Sequence, residues 1–266
     1  MIVAQKQLQA LIVTWRKPTD RAYIPLGRLI SGLGPDYPEY EFAFLNGVKD
    51  ALAQGLGPLL AFPDINRVYR SNELFPFFQN RVMQPGRPDY SDFVNTLALE
   101  PEHATPMDIL LRTGGSRVTD PFEIFACPVQ PMRAGCFPPY STHFLAHGLR
   151  HLSKLSLNRI NSLQCDEQLY LMCDCQNNYD GRALAMRTSD RIIVGYLPGF
   201  LLEEALRLWE QCQYITCYVV KANPPTVPLQ QRLLCRLETC WPEGFRPFAT
   251  EPFRPISTEA TDFSAR

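Results

Sequence analysis

Residues 175–186 read CQNNYDGRALAM: two amides, a tyrosine, an aspartate and a glycine set between two apolar runs. Asn and Asp side chains hydrogen-bond nearby backbone and tolerate left-handed geometry, so the stretch from Asn177 to Gly181 makes a turn without any ligand. A turn does not require Tyr179, however. An aromatic ring beside amides suits a base or a sugar, because the ring stacks while amides and a carboxylate bond base edges or hydroxyls. A carboxylate repels phosphate but accepts from a sugar hydroxyl. The composition therefore fits a nucleoside or a strand terminus better than a phosphate backbone. Both readings stand on the residues alone: a plain turn, or a turn that presents a ligand site.

Other chemistry-bearing residues point nowhere as specific. His143, His147 and His151 lie at i, i+4, i+8 with Cys136 upstream. On a helix the three imidazoles would share a face, and neutral imidazole ligates zinc. Gly148 breaks that pattern, HGLRHLSKL alternates like a strand, and no carboxylate or CxxC cluster completes a site, so no metal is expected. Cys173-Asp174-Cys175 on a strand would turn both thiols to one face, as a buried pair of small apolar groups. Gly114-Gly115-Ser116-Arg117 follows a helix, whereas phosphate-cradling loops precede one, so it reads as a helix C-cap. No nucleophile elbow, GxxxxGK[ST] loop or kinase catalytic loop is present. The expectation is a non-enzymatic protein without a cofactor.

The elements that would position these residues follow from periodicity. Residues 10–16, 22–30 and 40–45 read as strands, the second at an edge because of Pro25. Residues 72–82, 88–97 and 105–115 read as helices. The last has Thr105 as cap, Pro106 at the first helical position, Asp108 in the first turn and Gly114-Gly115 at the end. Residues 122–126 return to strand. CPVQPMRAGCFPPY (127–140) is dense in Pro and Gly and reads as a linker. Strands follow at 168–175, 182–188 and 191–198, then an amphipathic helix at 200–212 and a strand at 214–222. LQQRLLCRLETCW (229–241) fits helix or strand. The polar tail after Ile256 reads as disordered.

The bulk composition excludes several classes. With 45% hydrophobic and 20% charged residues the chain is globular, and no apolar run approaches the ~20 residues that span a bilayer. The N-terminus has no basic region followed by a long apolar core, so no signal peptide is read. Nine cysteines outside any CxxC pair favour reduced, mostly buried thiols in a cytoplasm. A net charge of −1 argues against a protein that coats duplex DNA. No acidic residue lies between Glu123 and Asp166, an interval that carries Arg133, Arg150, Lys154 and Arg159. That segment either faces an anion or is a solvated face balanced from elsewhere.

The order NNYDGRALAMRTSDRIIVGYLPGFLLEEAL resembles the core of a HIRAN domain: an NPYD-type turn, an alternating strand, a strand ending in GY-[IL]-P, and a helix. Asn177, Tyr179, Asp180, Ala183, Leu184, Gly195, Tyr196, Leu197 and Pro198 occupy matching positions. The resemblance implies an OB-like β-barrel that binds single-stranded DNA and captures a free 3′ hydroxyl end. By that resemblance Asn177, Tyr179 and Asp180 form the end pocket, with Tyr179 on the terminal nucleotide and Asp180 accepting from the 3′ hydroxyl. Tyr196 belongs to the same surface. Arg150 and His151 stand for the family's Arg-aromatic pair. The family's Pro and Asn are replaced by Asn178 and Arg182, and Arg182 offers a phosphate contact instead.

Residues 10–126 resemble the N-terminal subdomain of HipA-type Ser/Thr kinases, with LIVTW, LGRL, YEFAFL, FPFFQN and PMDILLRTGG in the family's order. The kinase lobes are absent, so the resemblance implies an interaction module, with Trp15, Phe75 and Phe78 as candidate partner-facing residues. The whole is expected to be α+β: a small N-terminal sheet with helices at 1–126, a linker at 127–139, a HIRAN-like barrel with a helix at 140–256 and a free tail at 257–266. The first functional expectation is a DNA-end or single-strand binder with a helicase, nuclease or HipA-like kinase as protein partner and no membrane. The alternative is an antitoxin-like regulator of a separate HipA-type kinase.

Overall fold

The computed structural model describes residues 8–32, 34, 38–117, 120–130 and 139–262. The fold is α+β, with two antiparallel sheets in two compact units. Unit 1 draws on Met1–Gln84, Thr105–Phe137 and Arg246–Arg266, and unit 2 on Pro85–Ala104 and Pro138–Phe245. The chain passes between units near the expected linker, but it also crosses at three other places, after Gln84, Ala104 and Phe245. Residues 131–138 of that linker, with Cys136, lie outside the described residues.

Unit 1 is a five-stranded sheet of order β4-β3-β2-β1-β5. Its strands are β1 (Gln9–Arg16), β2 (Tyr23–Ser31), β3 (Tyr40–Phe44), β4 (Tyr69–Ser71) and β5 (Phe122–Cys127). The expectation that Pro25 marks an edge strand is corrected, because β2 lies between β1 and β3. Pro25 sits opposite Thr14, where the β1–β2 register shifts between Val13 and Thr14. A bulge spares the ladder the missing N–H, so proline is accommodated inside the sheet.

The helices of unit 1 are α1 (Gly47–Ala53), α2 (Pro76–Gln79) and α4 (Pro106–Thr113); α3 (Tyr90–Thr96) belongs to unit 2. The expected helix at 72–82 contracts to the single turn α2. Its aromatic residues are drawn into a ring cluster instead: Phe62 stacks on Phe42 at 4.0 Å and meets Phe75, Phe77 and Phe78 at 5.3, 6.1 and 6.4 Å. Helix α4 keeps its expected caps. Thr105 and Asp108 form a reciprocal capping box, and Gly114 closes the end at φ 69.

The tail does not detach at residue 257. Glu41 is buried on β3, and a buried carboxylate needs partners. The Thr261 amide and hydroxyl donate to its two oxygens at 2.8 and 3.0 Å, and Arg70 pairs with it at 3.0 Å. Residues 257–262 are thereby tied to the sheet.

Unit 2 is a curled half-barrel of order β6-β11-β10-β7-β8-β9. Its strands are β6 (Tyr140–Leu145), β7 (Gln168–Cys173), β8 (Leu184–Arg187), β9 (Ile193–Tyr196), β10 (Ile215–Ala222) and β11 (Leu233–Thr239). A bridge between His147 and Tyr196 joins the chain beyond β6 to β9, so the two edges of the sheet meet at one end. β11 settles the helix-or-strand question at 229–241. Its neighbours β10 and β6 hydrogen-bond both sides, and Cys235 and Leu237 are buried. The strand-like alternation of HGLRHLSKL is not realised. Gly148 takes φ 76, a 3-10 turn covers Leu149–His151, and Ser153 caps α5 (Lys154–Asn161). Helix α6 (Gly199–Gln211) packs against β10.

Candidate nucleic-acid interface

The segment from Asp174 to Ala183 links β7 to β8 and is a turn tied by its own side chains. The Tyr179 and Asp180 amides both donate to Asn177 Oδ1, at 3.0 and 3.3 Å. The Arg182 amide donates to Asp180 Oδ1 at 2.9 Å. Backbone bonds close the base: the Asp174 amide to the Ala183 carbonyl at 2.8 Å, and the Ala183 amide to the Asp180 carbonyl at 2.9 Å. Asn178 replaces the proline of the resemblance, and the rigidity a proline would supply comes instead from the Asn177 acceptor. Gly181 has no left-handed φ, so its glycine is not demanded by the backbone.

This scaffold leaves Tyr179 78% exposed. Its ring lies 6.0 Å from that of His151, tilted by 41°. His151 arrives there through Gly148. The His147 and Tyr196 backbones bond each other reciprocally at 3.0 Å, and a Cβ on Gly148 would come within 2.6 Å of the Tyr196 ring. Only glycine permits that approach. The Tyr196 hydroxyl donates to Asp174 Oδ2 at 3.0 Å, and the Asn177 amide stands 3.5 Å from the same oxygen. Burial and then the Asp174 carboxylate raise the Tyr196 phenol above its ordinary pKa, so it stays a neutral donor at physiological pH.

Residues far apart in sequence thus converge. Asn177, Tyr179, Asp180, His151 and Tyr196 form one cluster, with Asp174 as the shared acceptor. Arg182 is turned toward α6, where it pairs with Glu203 at 3.4 Å, and it lies 3.7 Å from Asp180. Its charge is therefore partly spent. Arg150 is exposed in the 3-10 turn and makes no ion pair among the described residues.

Asp174 and Gly148 are the two positions that sequence reasoning missed. Asp174 lies between two cysteines and reads as the outward residue of a strand, but its chain position is just past β7, where the turn begins. The companion reading of Cys173 and Cys175 as a buried thiol pair is corrected, because both are exposed. Gly148 reads as a break in a helix; its function is close packing. Of the other thiols, Cys212 and Cys240 are joined as a disulfide, against the expectation of reduced cysteines throughout. Among the described residues no group of three or more His, Cys, Asp and Glu side chains is placed to hold a metal. His143 is on β6 and faces Arg236 across the ladder, while His147 packs against Phe200.

The residues expected to face a partner are placed differently. Trp15 and Phe78 are buried in the core of unit 1, and Phe75 is half-buried against it. Buried rings offer a partner no surface, so for Trp15 and Phe78 the expectation is corrected to core packing. No described helix is long and apolar enough to cross a membrane.

No protein-family profile and no curated protein matches the chain. Among solved structures, a structural-genomics protein from Lactobacillus plantarum aligns over 38% of this chain and 99% of its own, at 18% identity and a TM-score of 0.28. The HIRAN domain of human HLTF aligns over 38% of this chain and 72% of its own, at 19% identity and a TM-score of 0.25. Scores of that size carry no weight for function. The resemblance of the N-terminal half to a HipA subdomain finds no support among these comparisons.

Proposed function

We propose that unit 2 binds single-stranded nucleic acid at a free 3′ end, without catalysis. The observation that carries this reading is the exposed Tyr179, held beside His151 on a turn already tied by the Asn177 and Asp180 side chains. A turn that only reverses the chain has no use for a large exposed ring, whereas a terminal base has a π-face to stack on it. Asp180 spends one oxygen on the Arg182 amide and keeps the other for a sugar hydroxyl. Carboxylates at Asp174 and Asp180 disfavour a terminal phosphate, which accords with a hydroxyl end.

The test is a binding comparison between oligonucleotides ending in a 3′ hydroxyl and a 3′ phosphate. The hydroxyl end is expected to bind about tenfold more tightly, the size of one charge-assisted hydrogen bond. Tyr179→Ala and Asp180→Asn should each weaken it. Asp180→Asn keeps an acceptor for the Arg182 amide, so the turn is retained. Equal affinity for both ends would end the terminus reading. For unit 1, a kinase, helicase or nuclease partner would have to use residues other than Trp15 and Phe78.

A further inference from the structure

The half-barrel carries a second set of exposed side chains that the turn does not explain. On β7, Tyr170 and Met172 alternate outward and are each 39% exposed. Strand pairing fixes what stands beside them. Met172 pairs with Ala185, and Ala185 pairs with Tyr196, so these three share one face. Tyr170 pairs with Arg187, whose guanidinium lies 4.9 Å from the tyrosine ring. Arg187 meets no carboxylate among the described residues; one nitrogen donates to the Thr188 carbonyl at 3.1 Å. The face therefore holds a stacking platform, a soft thioether and a cation with spare donors, and it begins at a residue of the candidate end site.

We infer that the face from Tyr196 through Met172 to the Tyr170–Arg187 pair stacks the nucleotides that precede a captured strand end. The inference rests on the reading of the 174–183 turn as that end's site. Three features favour a single strand over a duplex or an apolar peptide. Rings reach the faces of unpaired bases only. An arginine over a tyrosine ring presents a flat cation that itself stacks or pairs with phosphate. The chain as a whole carries no positive excess with which to coat a duplex.

The track has an end. The next arginine–tyrosine pair on the same sheet, Arg236 over Tyr218 at 5.5 Å, is neutralised by Glu238 at 2.7 Å and Asp166 at 3.6 Å. From Leu184 to Arg187 β8 rises about 10 Å at ~3.3 Å per residue. That length matches about three stacked steps of ~3.4 Å, the span of roughly four nucleotides.

The experiment is fluorescence anisotropy with 5′-labelled oligothymidylates ending in a 3′ hydroxyl, from dinucleotide to octanucleotide. Affinity should climb with length to about the tetranucleotide and then level off. Tyr170→Ala and Arg187→Gln should each erase the gain, weakening the octanucleotide about tenfold while leaving the dinucleotide unchanged. Tyr170→Phe should retain it, which separates stacking from a folding defect. A length-independent wild type, or an octanucleotide bound equally by wild type and the Tyr170→Ala, Arg187→Gln double variant, overturns the track and leaves the end site standing. Absence of binding at every length overturns the end site, and the track with it. The same series ending in a 3′ phosphate separates the two sites: a length gain that needs Tyr170 and Arg187 but is equal for both ends upholds the stacking track and removes end capture.

Discussion

At the residue scale the turn after β7 shows how a polar side chain takes over a backbone task. Asn177 accepts from two consecutive amides and so ties the turn without a proline at position 178. Asn177→Ala is expected to loosen the turn and cost about 1 kcal/mol or more in thermal or urea denaturation, along with ligand affinity. Tyr196 gives a pH signature. Its raised pKa means that the native state holds the phenolic proton more tightly than the unfolded chain does. That contribution is complete below the ordinary phenol pKa near ~10 and is lost as pH climbs through the higher folded value. Tyrosinate absorbance of wild type minus Tyr196→Phe should therefore show an ionisation later than that of a free phenol. Asn177, Tyr179 and Asp180 were legible in the sequence because turn chemistry is local. Asp174 was not, because its role depends on Tyr196, which reaches it only after β9 has paired with β8.

At the element scale the strands were more legible than the helices. β1, β3, β5 and β10 carry period-two or continuously apolar patterns that survive folding. The segment at 72–82 misled because its rings mimic a helical stripe, although Phe62 gathers them from several directions. Phe62→Ala should cost about 3–5 kcal/mol, read by urea denaturation, since it removes the ring at the centre of that cluster. β6, α1 and α5 gave no clear period, being short and half polar. Gly148 is decisive at this scale too. Gly148→Ala would press a methyl into the Tyr196 ring at a positive φ, and it should move His151 away from Tyr179 as well as destabilise unit 2.

At the scale of the whole molecule the chain is interleaved in a way that a linear reading does not reveal. Unit 1 needs residues 246–262 to complete it, through Thr261 on the buried Glu41, and unit 2 needs residues 85–104, where the Asn223 side-chain amide donates to the Thr96 carbonyl at 2.9 Å. A chain truncated after residue 126 should expose Glu41 and lose cooperative unfolding, whereas Glu41→Gln in the full chain should cost only about 1–3 kcal/mol. Composition marked the boundary at 127–139 because Pro and Gly are local signals. Of the three other crossings, those after Gln84 and Phe245 also lie beside Pro and Gly, at Pro85-Gly86 and Gly244, but such local signals do not say that the chain returns to a unit it has left.

The bond between Cys212 and Cys240 has a consequence of another kind. It makes the chain from the end of α6 through β10 and β11 a closed covalent ring. A protease that cuts once inside this ring severs the backbone but not the molecule. The two pieces migrate together on a denaturing gel until a reductant is added, and they part only then.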